Sequence, residues 1–130
     1  MIRFAKNSLA LIPVVALVVA LGACSSSTSA PAETLPATIG LEVHAVSGLK
    51  FDKTSYEVVA GDVTVGYINE DSIRHTLVVV QDGTVVSGFE LKVNKNGDID
   101  TGSITLASGS YVLLCTVPGH QSMKADLTVK

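Results

Sequence analysis

The sequence predicts an all-β domain, a Greek-key antiparallel β-sandwich, over residues 41–130. Short runs rich in Val, Ile, Leu, Thr and Tyr recur there, and turn signals separate them at intervals of about 8 to 12 residues. No segment after residue 24 shows the apolar period of a helix. Roughly seven or eight short strands in about 90 residues are typical of two sheets packed face to face.

Turn-forming residues separate the predicted strands. The strands are expected at residues 41–46, 55–59, 62–68, 75–80, 88–93, 102–106, 110–115 and 125–130. The turns fall at Ala60-Gly61-Asp62, Asp82-Gly83, Asn96-Gly97-Asp98 and Ser108-Gly109, each with a residue that tolerates a positive φ. The segment 94–100 faintly resembles a calcium-binding loop but lacks the bidentate Glu, so a hairpin turn is predicted there.

Alternation of side chains predicts which face of each strand is buried. Cys115 shares a face with Leu113 and Tyr111, since residues two apart on a strand point the same way. Leu127 and Val129 likewise share one face of the last strand.

Composition excludes several classes of protein. The 130 residues carry a net charge of −3, which is not basic enough for a nucleic-acid binder. Two cysteines allow at most one disulfide, so the chain is not a disulfide-stapled miniprotein. The length leaves room for one domain.

The N-terminus has the pattern of a bacterial export signal. Arg3 and Lys6 precede an apolar stretch at 9–21, which is too short to span a bilayer as a stable helix. Small residues then precede Cys24, a pattern that resembles a lipobox. The resemblance implies a lipoprotein signal peptide at 1–23 and a diacylglyceryl group on Cys24. The alternative is an ordinary cleaved signal beside an incidental cysteine.

Residues 24–40 are expected to be the lipidated cysteine and a flexible linker, because they are rich in Ser, Thr, Ala and Pro. The protein is then held on the outer face of the cytoplasmic membrane, or on the outer membrane of a diderm cell, facing the periplasm or exterior. After cleavage, 7 Lys+Arg oppose 12 Asp+Glu, a net charge of −5. Cys115 is left as a lone thiol in an oxidising compartment, which indicates a specific use.

Four side chains have the composition of a copper site. Cys115, His120 and Met123 lie within nine residues, and His75 opens a strand forty residues upstream. Two imidazoles, one thiolate and a weak axial thioether are the donors of a trigonal copper site. Zinc usually takes a fourth strong ligand, and Met is not one.

With these residues, the stretch from Leu41 to Lys130 resembles the cupredoxins, small blue copper proteins of the plastocyanin and azurin type. The resemblance implies one type 1 copper, with His75, Cys115 and His120 as equatorial ligands and Met123 as the axial ligand. It also implies that the residue after the first His ties the two ligand loops together. That residue is Thr76, where Asn is common in the family.

The loop from Cys115 to Met123 is short in its second part, after His120. Only Gln121 and Ser122 separate His120 from Met123, fewer residues than the family usually has there. Gln121 or a backbone carbonyl is therefore the alternative to Met123 as the axial donor. His44, on the first strand, has no ligand partner in the sequence and is expected to be structural or exposed.

The leading functional hypothesis is a membrane-anchored carrier of single electrons between redox partner proteins of the cell envelope. His120 is the expected exit for the electron, flanked by Val117 and Pro118, and the protein is expected to be a monomer. One alternative is a copper-buffering or copper-delivery protein without an electron-carrier role. Another is a metal-free interaction module with a structural Cys115. An enzyme is not expected, because no acid–base pair or activated nucleophile lies near the site.

Overall fold

The computed structural model describes residues 33–130, which form β-strands and no helix. No helix within this range could therefore cross a membrane. The predicted signal peptide at 1–23 and the lipidated Cys24 lie outside the described residues. The strands are β1 (Leu41–Val46), β2 (Lys50–Phe51), β3 (Ser55–Val58), β4 (Gly61–Asn69), β5 (His75–Gln81), β6 (Thr84–Val85), β7 (Leu91–Val93), β8 (Ile99–Leu106), β9 (Gly109–Leu114) and β10 (Lys124–Val129).

Two sheets pack face to face, so the predicted sandwich is confirmed. One sheet has the order β2-β1-β4-β8, and the other has the order β3-β10-β9-β5-β6. The strand β7 pairs with the first residues of β5. All eight predicted strands are present, with ends shifted by a few residues.

Two strand pairs depart from the antiparallel prediction. The strands β1 and β4 pair in parallel, and so do β3 and β10. Both pairs join strands that are distant in sequence, where no tight turn imposes an antiparallel direction. The turn at residues 94–98 also differs from the hairpin expected, because β7 and β8 pair with strands of different sheets.

The core lies between the sheets and follows the predicted alternation. In β10, Ala125, Leu127 and Val129 are buried while the residues between them are exposed. The first five residues of β5 are all buried, and this strand pairs with β9 on one side and with β6 and β7 on the other. The site side chain His75 is the first residue of β5 and is fully buried.

The two strands too short for the sequence to reveal, β2 and β6, extend the sheet edges. The predicted turn Asp82-Gly83 is confirmed as a two-residue loop between β5 and β6. Both residues have positive φ, 49° and 77°, which suits the type I′ turn of a tight hairpin.

Part of the predicted linker packs on the domain. Gly66 of β4 carries no side chain, and the methyl groups of Leu35 occupy the space where a Cβ would lie. The Gly40 amide donates to the Thr64 carbonyl at 2.8 Å. Leu35 and Gly40, two residues of the predicted linker, therefore both contact β4.

Strand register brings the site residues together. The strands β5 and β9 are antiparallel, with Val78 opposite Leu114. The start of β5 and the end of β9 therefore lie at the same end of the sheet. His75 stands at the first position of β5 and Cys115 immediately follows β9.

Candidate metal centre

His75 is held from one side of its ring. Its Nε2 lies 3.1 Å from a carboxylate oxygen of Asp71, in the loop between β4 and β5. Its Nδ1 is buried and has no hydrogen-bond partner. A buried imidazole nitrogen without a hydrogen-bond partner is uncommon in folded proteins. It indicates that the nitrogen binds something else, such as a metal ion.

Cys115 is fully buried, and among residues 33–130 it is the one cysteine. Its Sγ accepts hydrogen bonds from the Thr76 amide at 3.4 Å and from the Thr76 hydroxyl at 3.7 Å. The His120 Nδ1 lies 3.7 Å from the same sulfur. Amide and hydroxyl donors stabilise negative charge on sulfur, and the thiolate is the form of cysteine that binds metals.

Two successive turns shape the loop after Cys115. The His120 amide donates to the Val117 carbonyl at 2.9 Å, across Pro118 and Gly119. Gly119 has a φ of 87°, which fits the third position of a type II turn with Pro at the second. The first turn brings His120, which is partly exposed, over the sulfur of Cys115.

The second turn accounts for the short spacing to Met123. The Met123 amide donates to the His120 carbonyl at 2.8 Å, so two intervening residues are enough to reverse the chain. The Met123 carbonyl accepts from the Cys115 amide at 3.1 Å, and the Met123 side chain is fully buried. The assignment of Met123 as the axial ligand stays a prediction.

Thr76 ties the two ligand loops together through its hydroxyl. Its Oγ1 accepts a hydrogen bond from the Thr116 amide at 2.8 Å and lies 2.8 Å from the Thr116 hydroxyl. If the Thr116 hydroxyl donates to Thr76, the only hydroxyl proton of Thr76 is free to point at the Cys115 sulfur. Threonine therefore makes the link that the family resemblance assigns to this position.

Replacing Thr76 by valine is expected to destabilise the metal-free protein by roughly 0.5–1.5 kcal/mol for each net hydrogen bond lost. The side chain keeps its shape but no longer accepts the Thr116 amide or donates to sulfur. Urea unfolding measures the loss. Thr116→Val is the control, because it removes a hydroxyl of the same loop and keeps the amide that Thr76 accepts. Equal losses in the two variants would contradict the role of the amide bond.

Three donor atoms converge. One atom from each of His75, Cys115 and His120 lies within 4.8 Å of the other two. The two imidazole rings are tilted by 47°, with centroids 5.1 Å apart. The unpartnered Nδ1 of His75 and the soft sulfur donor fit copper, and the group fits one type 1 copper site.

Tyr67 and Asp71 are two further side chains that lie close to the converging donors. Tyr67 is fully buried, and its hydroxyl donates to the Thr76 carbonyl at 3.3 Å. Burial raises the pKa of Tyr67, and a negative charge on Cys115 raises it further. In the loop that carries Asp71, the Ser72 amide holds the pKa of that carboxyl below its ordinary value.

His44 lies apart from the converging donors, in an ion-pair cluster on β1. Its two ring nitrogens lie 2.6 Å from carboxylate oxygens of Glu42 and Glu70. Partial burial lowers the pKa of His44, but the hydrogen bonds to these two carboxylates outweigh it, and the net shift is upward. Both ring nitrogens can donate only when the ring is protonated, so the cluster favours imidazolium.

Because the pKa of His44 is raised on folding, its stabilising effect is complete below its unfolded pKa of about 6.5. It is lost as the pH rises through the folded pKa. We expect urea unfolding of the metal-free protein to show this loss above about pH 6.5, with each exposed ion pair contributing about 0.2–1 kcal/mol. In His44→Gln the slope of stability against pH should be shallower; an unchanged slope would contradict the assignment.

A β-sandwich with one thiol and two imidazoles converging at one end defines the class of small mononuclear copper proteins. The model of the copper-binding protein family of plastocyanin and azurin matches residues 37–130. The chain belongs to this family.

Solved structures share the fold. The reduced auracyanin of Roseiflexus castenholzii is 24% identical, with a TM-score of 0.59, over 69% of this chain and 95% of that one. A purple cupredoxin of Nitrosopumilus maritimus is 21% identical, with a TM-score of 0.56, over 69% and 99%. An azurin of Methylomonas sp. strain J is 15% identical, with a TM-score of 0.57, over 68% and 95%. Among curated protein sequences, none is significantly similar to this chain.

The structure brings His75, Cys115 and His120 together and places Met123 at the base of the same loop. Sequence reasoning missed Asp71 as a partner of His75. An acidic residue four positions before a candidate ligand is the signal that could have indicated it.

Proposed function

We propose that this protein is a membrane-anchored carrier that moves single electrons between redox partner proteins of the cell envelope. The observation that carries the proposal is the convergence of His75, Cys115 and His120, of which only His120 is partly exposed. His75, Cys115 and His120 are the proposed equatorial ligands, with Met123 axial. Copper, when bound, supplies a centre that accepts and releases one electron.

The side chains around the proposed copper site differ in their exposure to solvent. Cys115 and His75 are fully buried, which keeps water from two of the donors. His120 provides the route to the surface, since the partly buried Val117 and the exposed Pro118 flank it in the same loop. A small interface suits brief encounters between redox partners. We propose that the carrier acts as a monomer.

A visible absorption spectrum tests the copper site. The full chain, purified in detergent and given one equivalent of Cu(II), should show an intense thiolate-to-copper charge-transfer band and a reversible one-electron wave in voltammetry. Bound copper without the band or the wave would favour copper buffering or delivery. No bound copper would favour a metal-free interaction module.

The anchor needs a separate test. We propose that Cys24 carries the lipid, because small residues and an apolar stretch precede it. Cells fed a radiolabelled fatty acid should yield labelled wild-type protein in the membrane fraction, and Cys24→Ser should remain unlabelled. Unlabelled wild-type protein in the soluble fraction would overturn the anchor and leave the copper site unaffected.

A further inference from the structure

Asp71 contacts the ring of His75 through a buried hydrogen bond. Its Oδ2 lies 3.1 Å from Nε2 of His75. His75 is fully buried and Asp71 is 8% exposed, so the contact is largely shielded from water. A hydrogen bond to an ionised carboxylate in such surroundings is stronger than one between neutral groups.

The other carboxylate oxygen of Asp71 is occupied. Oδ1 accepts the Ser72 amide at 2.7 Å and lies 3.4 Å from the Ser47 hydroxyl, which donates to it. The Asp71 amide in turn donates to Asn69 at 2.9 Å, and the Asn69 side-chain amide donates to the Ile73 carbonyl at 2.8 Å. The loop thus holds the carboxylate with Oδ2 directed at His75.

This arrangement selects one tautomer of His75. An ionised carboxylate only accepts hydrogen bonds, so neutral His75 carries its proton on Nε2. Nδ1 then keeps its lone pair, and it is the buried nitrogen with no partner. Hydrogen bonding at the far nitrogen fixes ring orientation in metal sites and raises the basicity of the ligating nitrogen.

We propose that Asp71 is a positioning residue that fixes His75 with its proton on Nε2 and favours cupric over cuprous copper. The proposal rests on the copper site of the proposed function and assigns the residue that tunes it. A more basic imidazole stabilises the divalent ion more than the monovalent one, so Asp71 lowers the reduction potential.

The tautomer can be measured on the metal-free full chain in detergent. Long-range proton–nitrogen NMR correlation should show His75 in the Nε2–H form in the wild type. Asp71→Asn removes the charge but keeps the size and one acceptor oxygen, and Asp71→Ala removes the acceptor. Asp71→Ala should therefore give a mixture of tautomers. Ser47→Ala removes another partner of the same carboxylate without touching His75 and should keep the wild-type form.

The potential of the copper-loaded chain provides the second readout. Loss of such an outer contact typically lowers metal affinity about 10- to 100-fold. If Cu(II) affinity falls tenfold more than Cu(I) affinity in Asp71→Asn, the one-electron potential rises by about 59 mV. Ser47→Ala should leave the potential unchanged.

Two results would overturn the proposal. One is wild-type His75 in the Nδ1–H form, a measurement that requires no variant to fold. The other is an Asp71→Ala protein with the tautomer of Ser47→Ala, together with an Asp71→Asn protein with the same potential as Ser47→Ala. A wild-type chain that binds no copper would refute the proposed function instead, and the tautomer measurement tells the two failures apart.

Discussion

Replacing Cys115 by serine is expected to abolish the thiolate-to-copper absorption and the reversible one-electron wave. The sulfur is the only soft donor among the three converging residues. A serine hydroxyl stays protonated and is a hard oxygen donor, so it does not replace a thiolate toward copper. The side chain keeps nearly the same volume, so the sandwich should still fold, and circular dichroism and urea unfolding check this.

The other cysteine of the sequence provides the matched control. Cys24→Ser changes the cysteine that is predicted to carry the lipid, directly after the predicted signal peptide, and leaves every described residue intact. It should keep the full absorption band. A band that survives in Cys115→Ser and disappears in Cys24→Ser would place copper elsewhere and refute the proposed centre.

The second large effect is expected on stability. Leu113 is fully buried on β9, opposite Val79 of β5 and Ala125 of β10. Leu113→Ala removes methyl groups from a close-packed core and leaves a cavity, which typically costs about 2–5 kcal/mol. That is a large fraction of the roughly 5–15 kcal/mol by which domains are stable. The metal-free protein should unfold at a lower urea midpoint with an unchanged slope.

Leu114 offers a control on the same strand. It is the next residue, and its side chain is only partly buried because it points to the opposite face of the sheet. Leu114→Ala should cost less than half as much as Leu113→Ala. Equal costs would show that the two faces of β9 are packed alike, contrary to the alternation in the sequence.

The faces of the strands were predictable because alternation is a local property. Tyr111, Leu113 and Cys115 share the buried face of β9 and its end, as their spacing predicts. The pairing of strands cannot be predicted in the same way. Alternation indicates which face of a strand is buried, but it does not indicate which strand pairs with it. The parallel pairing of β1 with β4 therefore could not be predicted from these residues.

The donor residues of the site were predictable, and so was the linking role of Thr76 from the family resemblance, but the other supporting contacts were not. Cys115, His120 and His75 stand out because their side chains are chemically distinctive. Asp71 is an ordinary loop carboxylate by sequence, and its importance comes from the turn that aims one oxygen at His75. For Thr76, the resemblance indicated the role, but its partner, the Thr116 amide, depends on two strand ends that meet across the sheet.

The hydrogen bond from the Cys115 amide to the Met123 carbonyl closes the ligand loop at its base. The loop therefore loses its conformational entropy when the domain folds, not when an ion binds. A ligand that meets an ordered loop avoids the cost of immobilising it, about 0.5–1.5 kcal/mol per flexible side chain. Metal affinity then reflects coordination itself, and the amides of Cys115 and Met123 should exchange with solvent equally slowly with and without copper.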